Sequence, residues 1–120
     1  VKFRRNVERQ IVTAVVEDSL QNGYLLQVTR EGEGLTEITQ NKDEIIETLM
    51  DLDEAVLFLY KEEDVKKAQY TSWILFVFGN DMGETVISDY TINLEKTEIL
   101  NRANAISDAI ENGTFTIALQ

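Results

Sequence analysis

The chain contains no cysteine, no histidine and no proline. Without cysteine there is no disulfide, no thiolate nucleophile and no Cys-ligated zinc, and a reducing cytoplasm is the compatible compartment. Without histidine the commonest general base and the commonest transition-metal ligand are missing. Catalysis would fall to carboxylates, lysines or tyrosine, so a non-enzymatic role is expected. Without proline, turns must be built from Gly, Asn and Asp. There is also no run of about 18 apolar residues, so no membrane span is expected. The basic start, Val1-Lys2-Phe3-Arg4-Arg5, leads into no long apolar stretch and so shows no secretory signal. No Gly-rich phosphate loop, nucleophile elbow or metalloprotease motif is present, and no cofactor is expected.

What is present fits a single domain spanning residues 1–120. A length of 120 residues with 43% apolar and 28% charged side chains suits a soluble globular protein able to bury its own core. The net charge of −11 comes from 11 basic and 22 acidic side chains and is uneven. Lys2, Arg4, Arg5 and Arg9 against Glu8 give the first ten residues +3, so the remainder carries −14. Such a body repels phosphate backbones, which argues against direct nucleic-acid binding. It suits solubility, a basic partner, or mimicry of a polyanion.

The chain is organised around Ser72–Ile92. Trp73-Ile74-Leu75-Phe76-Val77-Phe78 is a continuous apolar run, Gly79-Asn80-Asp81-Met82-Gly83 is a turn, and Glu84–Ile92 returns. The pattern predicts a β-hairpin whose first arm is buried on both faces of a sheet. Before it come a helix over 6–22, stopped by Asn22-Gly23, and a strand over 23–30. A turn over 31–34 leads to a short partner strand over 35–39. A helix over 42–52 capped by Asn41 follows, then a strand over 54–61. The first segment also carries β-branched residues that would suit a strand. Residues 61–71 read as a charged loop or a short helical turn. After the hairpin, Asn93 is expected to cap a helix over 94–112. Asn112-Gly113 repeats the earlier Asn-Gly stop, and Thr114–Leu119 alternates as a last strand docked in the sheet. The order α-β-(β)-α-β-β-β-α-β predicts an α+β fold: a mostly antiparallel sheet with about three helices packed on it.

Phe78-Gly79-Asn80-Asp81-Met82-Gly83, with Val86-Ile87-Ser88-Asp89-Tyr90-Thr91 behind it, resembles a group of small uncharacterised proteins of bacteria and their phages. The likeness covers the central third of the chain. It implies an accessory bacterial or prophage protein acting inside the cell, and carries no activity with it.

Four sets of residues are candidates for function. The first is Asn80, Asp81, Asp89 and Tyr90, which could hold a ligand or cation at the hairpin, although Asn and Asp are also ordinary turn formers. By parity Asp89 sits with Ile87 and Thr91, opposite Val86, Ser88, Tyr90 and Ile92, on the less buried face. The second is the acid-rich stretch 43–64, with nine acids against Lys61. Asp51, Asp53 and Glu54 offer oxygen ligands, but the spacing matches no EF-hand loop, and charge runs are commonly solvated faces. The third is Trp73, which shares a face with Leu75 and Val77, while Ile74, Phe76 and Phe78 share the other. If helices cover only one face, the second is an apolar patch that needs a partner, and a homodimer is the commonest answer. The fourth is the basic start with Phe3 among its cations, read as a frayed or salt-bridged terminus. The leading expectation is a homodimeric interaction protein. The alternatives are an acidic inhibitor of a basic protein and a carboxylate-based metal-binding or enzymatic domain.

Overall fold

Helix α1, Lys2–Gln21, forms despite its β-branched run because the run is buried. Val7, Ile11, Val12, Val15 and Val16 are each at most 2% exposed. Removing such a side chain from water is worth about 1.5–3 kcal/mol, which outweighs the few tenths lost in helix propensity. The computed structural model describes residues 2–79 and 86–111. The hairpin turn over 80–83, the Asn112-Gly113 stop and the expected strand Thr114–Leu119 lie outside the described residues.

The helix begins earlier than its apolar spacing suggests. Arg4 and Arg5 lie inside it and pair with Glu8 at 3.4 and 3.6 Å, so the basic start is salt-bridged. It ends where Asn22-Gly23 predicts. Gly23 takes φ of +87° and donates its N–H to Leu20 C=O, and Tyr24 N–H reaches Ser19 C=O. This paired closure satisfies the last carbonyls and needs a residue without a Cβ penalty at Gly23.

The sheet is antiparallel throughout, in the order β2-β1-β3-β4-β5. Its strands are β1 Leu25–Arg30, β2 Glu33–Gly34, β3 Glu54–Tyr60, β4 Ser72–Val77 and β5 Ile87–Tyr90. Helix α2, Lys42–Met50, connects β1 and β2 to β3. A single helical turn, α3 Glu62–Val65, connects β3 to β4. After β5 comes a 3₁₀ turn over Ile92–Lys96 and then α4, Asn101–Glu111. The protein is therefore an α+β domain with three substantial helices and one short one against a five-stranded sheet.

Several boundaries differ from expectation for identifiable reasons. Asn41 caps α2 as expected by accepting Glu44 N–H at 3.1 Å, and its own N–H goes to Thr39 Oγ1. The partner strand expected over 35–39 is only two residues long, further back. Thr36 Oγ1 takes the Val28 N–H and breaks the ladder, and Thr39 rejoins Leu26 as an isolated bridge. A Cβ at Gly34 would sit 2.6 Å from Gln27 Nε2, so a larger residue here would push the Gln27 amide aside. The helix expected from Leu94 starts at Asn101. Thr97 Oγ1 bonds Leu94 C=O and accepts Ile99 N–H, which diverts the backbone into a turn. Asn93 caps nothing; it ties Ser72 Oγ and Thr71 C=O to the 3₁₀ turn.

The hydrophobic core lies between one face of the sheet and the three longer helices. Leu26 and Val28 of β1, Leu57 and Leu59 of β3, and Ile74 and Phe76 of β4 are all fully buried. Among their neighbours of opposite parity, Thr29 and Tyr60 are also buried, while Val56, Phe58, Trp73, Leu75 and Val77 are half-buried. The apolar run Trp73–Val77 is thus not buried on both faces. It alternates, because the core-forming helices all pack on one side.

Candidate functional site

Register assembles the second face of the sheet. Gln27, Phe58 and Trp73 stand opposite one another across β1, β3 and β4. Thr29, Val56, Leu75 and Asp89 form the next row across β1 to β5. Glu54 and Val77 pair at the end. None of the half-buried apolar residues Val56, Phe58, Trp73, Leu75 and Val77 belongs to the core cluster. Among the described residues, no helix of more than one turn covers this face.

Its middle is uncharged and internally braced. Tyr60 Oη donates to Gln27 Oε1 at 2.8 Å, and Gln27 Nε2 donates to Thr36 C=O. Burial holds the Tyr60 phenol above its ordinary pKa, so it remains a proton donor in this pair. Phe58 meets Tyr60 edge-on, with centroids 6.4 Å apart, and stacks on Tyr70 at 4.5 Å with planes 6° from parallel. Tyr70 is 48% exposed, so this aromatic group opens to solvent.

One end of the face is acidic. Arg30, Glu31, Asp53 and Glu54 surround Val56 and Leu75 in a shallow hollow of about 210 Å³. Asp89, beside Leu75, adds a further carboxylate. Its Oδ1 accepts the N–H of Tyr90 at 2.8 Å, which occupies a donor on the last strand of the described sheet. Beyond the other end of β3, about 20 Å away, α3 and the residues beside it carry Lys61, Lys66 and Lys67 with Glu62, Glu63 and Asp64.

Of the residues singled out by sequence, Trp73 and Asp89 fall on this face. Tyr90 does not: it pairs with Ile74, packs against the core and turns its hydroxyl to Glu95 at 3.4 Å. A bulge opposite Leu75 and Phe76 also moves Ile87 to the core side, away from Asp89, against the parity expected of a regular strand. Asn80 and Asp81 lie outside the described residues. Val56, Phe58 and Tyr70 were missed as site residues. The alternation of β3 was the available signal, masked because both its parities are apolar.

The acid-rich stretch is dispersed. Asp43, Glu44 and Glu47 lie on α2, where Glu47 binds Arg9 across to α1. Asp51 ends that helix, Asp53 and Glu54 open β3, and Glu62, Glu63 and Asp64 form α3. Among the described residues, no three carboxylates gather where they could hold a metal ion, and no helix is long and apolar enough to cross a membrane.

A second concavity of about 500 Å³ runs between α1 and α4, floored by Thr13, Ala14, Ala105 and Ile106. Its two guanidiniums are already engaged, Arg9 by Glu47 and Arg102 by Glu17 and Asp18. It therefore offers an anion no unpaired charge from these groups. Comparison with family models, with curated proteins and with solved structures returns no match.

Proposed function

We propose that this is a non-enzymatic interaction protein that forms a homodimer by stacking the open faces of two sheets. The observation that carries the reading is the row Val56, Phe58, Trp73, Leu75 and Val77, half-buried in one copy and outside its core. A chain of net charge −11 repels its own copies over most of its surface. This face has an uncharged centre, so a second copy can approach without desolvating an ion. Four strands about 4.8 Å apart and about six residues long give a footprint near 20 by 20 Å. That area, widened by Tyr70 and the loops, suits a reversible association at the low end of specific interfaces. An accessory role inside a bacterial or phage-infected cell agrees with the hairpin resemblance. The alternative, an acidic inhibitor seated in a basic groove, has the net charge behind it but, among the described residues, no continuous row of carboxylates.

Sedimentation across a concentration series tests the reading. The expected result is a monomer–dimer equilibrium that Leu75→Lys shifts to monomer with an unchanged circular dichroism spectrum. A wild-type chain that stays monomeric at millimolar concentration overturns it.

A further inference from the structure

Two identical faces stacked by a two-fold axis hold that axis in the contact plane, running either along the strands or across them. Resting on the proposed sheet-to-sheet dimer, we infer that the axis crosses the strands, so that the acidic end of each face lies over the lysine-bearing end of the other. The distribution of charge along β3 decides between the two. Glu31, Asp53 and Glu54 gather with Arg30 beyond Val56 and Leu75, and Asp89 flanks Leu75 on the last described strand. Beyond the opposite end of β3, α3 and the residues beside it carry Lys61, Lys66 and Lys67 against Glu62, Glu63 and Asp64.

An axis along the strands would set each acidic end against its own copy, with eight carboxylates facing across the contact. Sheets pack about 10 Å apart, and side chains that project into that gap from both sides come closer than the screening length of about 8 Å, so that repulsion would survive. An axis across the strands sets each acidic end against a neutral end that carries Lys61, Lys66 and Lys67. The two ends lie about 20 Å apart, so the choice of axis, and not salt, controls which charges meet. The arrangement removes the like-charge contact: each acidic end meets an end whose lysines and acids balance.

The absence of cysteine makes a direct test clean. Glu54→Cys marks the acidic end and Tyr70→Cys the other, both at exposed positions. Each variant alone, and an equal mixture of the two, is oxidised mildly and resolved by non-reducing electrophoresis and mass spectrometry, with sedimentation and circular dichroism alongside. The expected result is a disulfide-linked heterodimer of the two variants in the mixture and little linkage in either variant alone. Efficient self-linkage of Glu54→Cys, or a sedimenting dimer that links in none of the samples, overturns the axis and leaves the dimer standing. A sedimenting monomer with no linkage overturns the dimer itself.

Discussion

Glu8 Oε2 accepts the backbone N–H of Gly79 at 2.6 Å, joining the first helix to the segment just after β4 across 71 residues. Glu8 is 1% exposed and shares its carboxylate with Arg4 and Arg5. A buried charge is tolerable only when its lone pairs are used, and here a backbone donor and two guanidiniums use them. Gly79 takes φ of +77°, which turns its N–H inward at little cost because it lacks a Cβ. Glu8→Ala strips this donor and both arginines of their acceptor, and is expected to cost about 3 kcal/mol. Glu8→Gln keeps one acceptor oxygen and is expected to cost less. Urea unfolding monitored by Trp73 fluorescence measures both. Equal stability of Glu8→Ala and wild type would remove this contact from the account of how the hairpin is anchored.

Ile74 and Leu75 are neighbours on β4 with opposite fates. Ile74 is fully buried among the helices, and Leu75 lies half-buried on the open face. Ile74→Ala is expected to lower the unfolding free energy by about 3 kcal/mol, through lost transfer energy and a residual cavity. Leu75→Ala is expected to change it by less than about 1 kcal/mol in a dilute, monomeric sample, while weakening self-association at high concentration. Paired unfolding and sedimentation series separate the two. A loss at Leu75 equal to that at Ile74 would mean that the second face is covered within the single chain.

The aromatic stack extends this face. Phe58 and Tyr70 lie nearly parallel, one from β3 and one from the loop before β4. A double-mutant cycle of Phe58→Leu and Tyr70→Leu is expected to give a coupling of about 1 kcal/mol in thermal or urea unfolding. A coupling near zero would show that the stack does not hold the loop.

The sequence made the secondary structure readable wherever one strong local signal acted alone. Asn22-Gly23 closed α1 because glycine is the residue that pays least for a left-handed backbone, and the Asn41 cap opened α2. What stayed hidden depended on groups far apart in the chain. The six-residue apolar run gives no sign of which parity meets the helices, since Trp73 and Leu75 are as apolar as Ile74 and Phe76. Only tertiary packing separates them. The Glu8–Gly79 contact joins residues with no pattern in common. The late start of α4 turned on one hydroxyl, that of Thr97, competing for backbone partners. The open face was legible as a condition, helices on one side only, and the packing of α1, α2 and α4 met that condition.

The ionic links among the three longer helices set how the fold responds to acid. Lys42 Nζ donates to Glu17 Oε2 at 2.8 Å, and Arg102 Nη2 donates to Glu17 Oε1 at 3.0 Å. The hydrogen bond from Lys42, then that from Arg102, holds the Glu17 carboxyl below its ordinary 4.5. Arg9 lowers Glu47 in the same way. A carboxylate whose folded pKa is depressed contributes stability that is complete above its unfolded value and disappears as pH falls through the folded one. Glu17→Gln is therefore expected to be less stable than wild type at pH 7, and the gap should close as pH drops below 4.5. The side chain is partly exposed, so the gap at pH 7 should be small and should shrink further in 1 M NaCl. Unfolding curves at pH 7 and across pH 5 to 2, with and without salt, measure this. A gap that persists unchanged at pH 2 would assign the loss to packing of the Glu17 stem and not to its charge.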